Sequence, residues 1–156
     1  MASSSRTSGT EVASARGSSV TVSRSGRRLL TFVTAAGLAV DAYVHWHLAP
    51  NFDTLTSASS PHISQGLLFR LEAVLALIAL GLLLGTRHRF AAAFAFLIAV
   101  GGLGAVLLYG FVEVGALGPL PDMYDPVWTA EKTISAVAEG VAAIGALWLL
   151  LLPRRP

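Results

Sequence analysis

Four long apolar runs divide this sequence, at about residues 29–49, 66–84, 90–112 and 133–152, with short polar segments between them. Each run is close to the roughly 20 residues a helix needs to cross about 30 Å of hydrocarbon. Open strands would leave backbone N–H and C=O groups without partners in lipid, so the runs predict helices. The expected fold is therefore all-α, a four-transmembrane-helix bundle spanning residues 29–153. Residues 1–28 have a different pattern. Ser, Thr, Gly and Arg dominate there and large apolar residues are nearly absent, which predicts a disordered, basic N-terminal tail.

Local signals sharpen the helix ends. Pro50 and Pro153 stop the first and fourth runs. Ser60 before Pro61, and Asp125 before Pro126, each place a capping side chain ahead of a proline suited to a first helical turn. On that pattern helices two and four begin several residues before the membrane does. The segment 115–128 combines Gly and Pro with apolar residues, which predicts a helix-free loop lying on the membrane surface.

Composition agrees with lipid as the solvent. Only 13% of the 156 residues are charged, against about 25% in a soluble domain, and the mean hydropathy is +0.66. The isoelectric point near 9.5 would suit a nucleic-acid partner, but the basic residues flank the apolar runs, as membrane topology requires. Nine of the eleven lie on one side: Arg6, Arg16, Arg24, Arg27 and Arg28 before the first run, Arg87 and Arg89 between the second and third, Arg154 and Arg155 after the fourth. The positive-inside rule then places both termini in the cytoplasm of a bacterium, with the chain multi-pass in its plasma membrane. Tyr43, Trp46, Tyr109, Tyr124 and Trp128 fall at the opposite ends, where an aromatic belt belongs. The first run resembles a signal peptide, but Asp41 interrupts it and His47 stands three residues before the best cleavage point, after Ala49, where a small residue is wanted. An uncleaved anchor is expected. The absence of cysteine excludes disulfides, thiolate metal sites and iron–sulfur clusters.

Ionisable residues inside a bilayer are costly and mark candidate sites. Here they are Asp41, His45 and His47 in helix one, Arg70 and Glu72 in helix two and Glu139 in helix four, all toward the extracytoplasmic side. Helical phase selects among them. Asp41 and His45 share a face with Thr34 and Gly37; Glu72 lines up with Ala76 and Ala79; Glu139 lines up with Lys132, Ser135, Ala142 and Ala146. Faces of small and polar residues are those that membrane helices turn toward one another. Asp41, His45, Glu72 and Glu139 are thus the candidate intramembrane site, with Arg70, Glu131 and Lys132 as rim partners. His47 falls in line with Tyr43 and belongs to the interfacial belt. Helix three contributes Gly101, Gly102, Gly104 and Ala105, which allow close packing.

Three readings of this cluster stand open. It is a structural ion-pair network, with Arg70, Lys132 and a protonated His45 balancing three acids whose unpaired burial would cost on the order of 8 kcal/mol. It is a proton or small-ligand site, such as one for a quinone headgroup. Or it holds a divalent metal through N/O ligands, although the Glu-x-x-His signature of metal-binding bundles is missing. The first reading makes the protein a non-enzymatic accessory or structural subunit, with the lipid bilayer as solvent and a membrane-protein partner or a second copy beside it. The others make it a quinone-linked or metal-dependent redox or binding protein. Neither reading involves nucleic acid.

The stretches DAYVHWHLAP at 41–50, ISQGLLFRLEA at 63–73 and GPLPDMYDPVW at 118–128, followed by Glu131 and Lys132, resemble a group of small actinobacterial integral membrane proteins. The resemblance covers about residues 29–152 and implies a membrane location and four spans, but no particular activity. The layout is also similar to DoxX-like four-helix membrane proteins, some tied to quinone-linked redox chemistry.

Overall fold

The computed structural model describes residues 24–86 and 88–153. The expectation of disorder over residues 1–23 and the positions of Arg6, Arg16, Arg87, Arg154 and Arg155 fall outside the described residues. Four helices are present, α1 (Arg24–Leu48), α2 (Gln65–Gly85), α3 (Arg89–Phe111) and α4 (Ala130–Leu151), and each is long and apolar enough to span a membrane. A short 3-10 turn, Ala49–Phe52, carries Pro50 and ends α1. Two strands, β1 (Thr56–Ser57) and β2 (Ser60–Ser64), form a small antiparallel hairpin before α2.

Two boundaries differ from expectation. Helix α1 starts five residues early, so Arg24, Arg27 and Arg28 lie in the helix and not in a disordered tail. Arginine is a good helix former and no proline intervenes, and Thr31 Oγ1 donates to the Arg27 carbonyl at 3.0 Å. The second correction concerns the caps. Ser60 and Pro61 lie in β2, where the residue before a proline prefers extended backbone. The true cap of α2 is Ser64, whose hydroxyl accepts from Leu67 N at 3.0 Å. In the other loop Asp125 Oδ1 accepts from Val127 N, a local turn that competes with capping. Thr129 caps α4 instead, accepting from Lys132 N at 3.2 Å.

The helices form a ring in which each packs against its two neighbours, with α1 beside α2 and α4 and diagonal to α3. Alanine fills the interior: Ala73, Ala76 and Ala79 of α2, Ala95 and Ala99 of α3, and Ala142 and Ala146 of α4 are all within 1% of full burial. The large apolar side chains point outward, with Phe90 at 70% and Leu97 at 66% exposure. A surface this apolar is unstable in water and at home in lipid. Small residues inside and large ones outside is the membrane arrangement, because packing, not water exclusion, joins the helices there.

The tightest seam is α1 against α4. A Cβ at Gly37 would stand 2.7 Å from the Ala138 carbonyl oxygen, and one at Gly145 would collide with Thr34 Oγ1. At the end bearing α3's start, the Arg89 guanidinium donates to the Leu150 carbonyl and satisfies a free acceptor in the last turn of α4. By contrast, Gly81, Gly85, Gly101 and Gly104 face open space.

Candidate functional site

All four helices meet at one level. Asp41 and Glu72 lie seven residues from the Leu48 end of α1 and the Gln65 end of α2, about 10 Å along the axis, and Glu139 lies about 14 Å from the Ala130 end of α4. Helix α1 presents Asp41 and His45 one turn apart, and α4 presents Ser135 and Glu139 one turn apart. Asp41 is 1% exposed and Glu139 is fully buried.

Asp41 is the hub. Its Oδ1 accepts from Ser135 Oγ at 3.0 Å and lies 2.8 Å from His45 Nδ1. The same ring nitrogen lies 3.2 Å from the Asp41 carbonyl oxygen. Donor atoms of Asp41, His45 and Glu139 all fall within 4.8 Å of one another. Helix α3 contributes a gap. A Cβ at Gly102 would collide with Glu139 Oε1 and stand 3.1 Å from Glu72 Oε1, so this glycine leaves room for both carboxylates.

Among the described residues, four buried carboxylate oxygens have no hydrogen-bond partner: Asp41 Oδ2, Glu72 Oε1, Glu139 Oε1 and Glu139 Oε2. The expected basic partners are engaged elsewhere. Arg70 makes a two-pronged pair with Asp53, Nη1 to Oδ1 at 2.6 Å and Nη2 to Oδ2 at 2.8 Å. That pair holds the Asp53 carboxyl below its ordinary value. Lys132 Nζ donates to the Asp125 carboxylate at 2.7 Å and to its carbonyl at 2.6 Å. The Lys132 hydrogen bond likewise holds Asp125 low. Glu131 is exposed in the first turn of α4, where a negative charge suits the helix dipole. His47 stacks on Tyr43, with ring centroids 5.7 Å apart. Of the four candidate residues, three converge around Asp41 and Glu72 joins at the Gly102 gap; the three rim residues stay at the rim.

A clasp covers the cluster on the side of the α1–α2 connection. Phe69 sets an edge on the His45 ring at 5.2 Å, and Phe52 packs on Phe69 at 4.9 Å. The Arg70–Asp53 pair follows in the same two segments. Gly66 leaves room for it, since a Cβ there would strike Asp53 Oδ1 and the Ala49 carbonyl. Beyond lies the loop after α3, with Gly115 and Gly118 in the left-handed region, at φ 72° and 58°. It is tied down by Ser59 Oγ to the Gly118 carbonyl and Gln65 Nε2 to the Asp122 carbonyl, both 2.6 Å.

Sequence reasoning passed over Ser135 as a site residue, although its place one turn before Glu139 was the signal. It gave no hint of Asp53, which sits in a connection without periodicity. Ser135 and His45 both bond to Asp41, so no hydroxyl–imidazole pair of the kind that activates a nucleophile is present in the cluster. The donor set of one imidazole and three carboxylates suits protons or an N/O-ligated cation. Comparison of the chain with protein families, curated proteins and solved structures finds no match to any of them.

Proposed function

We propose that this integral membrane protein is a non-enzymatic accessory protein of the bacterial plasma membrane, whose bundle holds a cation-binding site near the extracytoplasmic face. One observation carries the reading. Two buried carboxylates, Asp41 and Glu139, meet one imidazole with the half-buried Glu72 nearby, while Arg70 and Lys132 are paired with Asp53 and Asp125. A self-contained ion-pair network needs those two cations at the cluster. Without them the acids are neutralised by protons or by a cation bound between them, because unpaired buried charge is strongly disfavoured, and the convergence of imidazole and carboxylate donors supports the bound cation. The orientation rests on the basic residues, nine of eleven on one side, which supports cytoplasmic termini. The likeness to small actinobacterial membrane proteins supports the location.

The test is thermal unfolding of the detergent-purified protein against a panel of mono- and divalent cations. A saturable rise in the midpoint is expected for wild type and not for Glu139→Gln, since a ligand that binds only the folded state stabilises it. An equal response in both proteins, or none in wild type, would sink the reading. A co-extracted quinone that disappears in Asp41→Asn would favour the DoxX-like redox role instead.

A further inference from the structure

Resting on that reading, we infer that the cation is a divalent first-row transition metal of the zinc class, held by Asp41, His45 and Glu139 with Glu72 beside them. The cluster is more than a group of acids. Glu139 is fully buried, and both of its oxygens lack partners while they face the other donors. Asp41 Oδ2 is equally buried and equally free. These are buried oxygens without a partner in the protein.

The donor types choose the metal class. A site of oxygen ligands alone suits calcium or magnesium, whereas imidazole beside carboxylates suits zinc and its neighbours. The spacing is compatible. With metal–ligand bonds of about 2.0–2.2 Å, tetrahedral donors stand roughly 3.4 Å apart. The three donors here lie within 4.8 Å, so closing onto an ion takes shifts of about an ångström, a small side-chain rotation. Glu72 Oε1, unpartnered and beside the same Gly102 gap, lies outside this compact group of three donors.

The supporting contacts are also those of a metal centre. Ser135 donates to Asp41 Oδ1, which fixes that carboxylate and turns Oδ2 inward. Ligating carboxylates are generally held in this way by an outer hydrogen bond. The Phe69 edge against His45 limits the ring's freedom. One ligand pair comes from α1 and the third ligand from α4, so a bound ion would join the first and fourth helices.

The experiment uses the full chain in mild detergent, stripped with a chelator and titrated with Zn²⁺, with Ca²⁺ and Na⁺ as competitors. Elemental analysis follows desalting, and circular dichroism checks each variant for helix. Wild type is expected to retain one zinc per chain against excess Ca²⁺. Ser135→Ala, which keeps every ligand, should weaken zinc by about 10- to 100-fold, the usual loss when an outer contact is removed. His45→Gln should abolish the preference for zinc over Ca²⁺. Stoichiometric binding of Ca²⁺ or Na⁺ that is indifferent to His45→Gln would overturn the metal class and leave the cation reading standing. No binding of any cation by helical wild type would end both. Zinc retained equally by wild type and by a helical Asp41→Asn/Glu139→Gln variant would place it on exposed histidines such as His62 and His88, and would overturn the site.

Discussion

Gly102→Ala tests the geometry of the cluster with one methyl group. The added Cβ would collide with Glu139 Oε1, stand 3.0 Å from Glu139 Cδ and 3.1 Å from Glu72 Oε1. Glu139 is fully buried and cannot swing into lipid. Overpacking of this kind costs about 1–3 kcal/mol. Replacing glycine by alanine within a helix returns up to about 1 kcal/mol of propensity. Gly101→Ala and Gly104→Ala supply the reference, because nothing lies within 4 Å of a Cβ at either position. The expected difference between Gly102→Ala and these two controls is the overpacking cost alone, about 1–3 kcal/mol. The assay is reversible unfolding in mixed micelles of increasing SDS content, followed by circular dichroism. The same substitution made in a Glu139→Ala background should lose most of its penalty, since the colliding atoms are gone, and the resulting cycle isolates the contact. If Gly102→Ala matches the controls, or is just as damaging without Glu139, the carboxylates do not meet at this glycine.

Three further outcomes are expected. Asp53→Asn should destabilise the protein at neutral pH. Because the Arg70 hydrogen bonds lower the folded pKa of Asp53 below its ordinary 3.8, the stabilisation is present above that value and is lost as pH falls through the folded one; unfolding midpoints of variant and wild type that stay apart in strong acid would contradict the pairing. A reporter fused after Pro156 should act as cytoplasmic and one inserted near Ser59 as external, and the reverse pattern would overturn the orientation. Leucine at Gly81 or Gly85 should leave both stability and oligomeric state unchanged, since both face open space; a change of size on gel filtration would reveal an interface there.

The four spans were legible because lipid imposes a single rule, apolar length, that survives without any knowledge of contacts. The phase of Asp41, His45, Glu72 and Glu139 was legible for a related reason: each shares a stripe with Ala, Gly or Ser, and small residues are enriched where membrane helices face one another. The fate of Arg70 and Lys132 was not. Their partners, Asp53 and Asp125, sit in connections whose path depends on the hairpin and on the loop after α3. The hairpin itself has a polar, two-residue first strand, with no alternation to announce it. At both cap sites a serine or aspartate before proline offered a plausible start four residues too soon. The backbone used Ser64 and Thr129 because the earlier candidates were already committed, Ser60 to strand pairing and Asp125 to its own turn.

The hydrogen bond from Ser135 to Asp41 joins residues 94 positions apart, in the last and first helices. During synthesis at about 5–20 residues per second, α1 therefore waits roughly 5–20 s for the Ser135 hydroxyl, with Asp41 paired only to His45 of its own helix. Only the arrival of α4 closes the polar surface on α1. A chain that stops before residue 130 leaves Asp41 of α1 without the Ser135 hydroxyl.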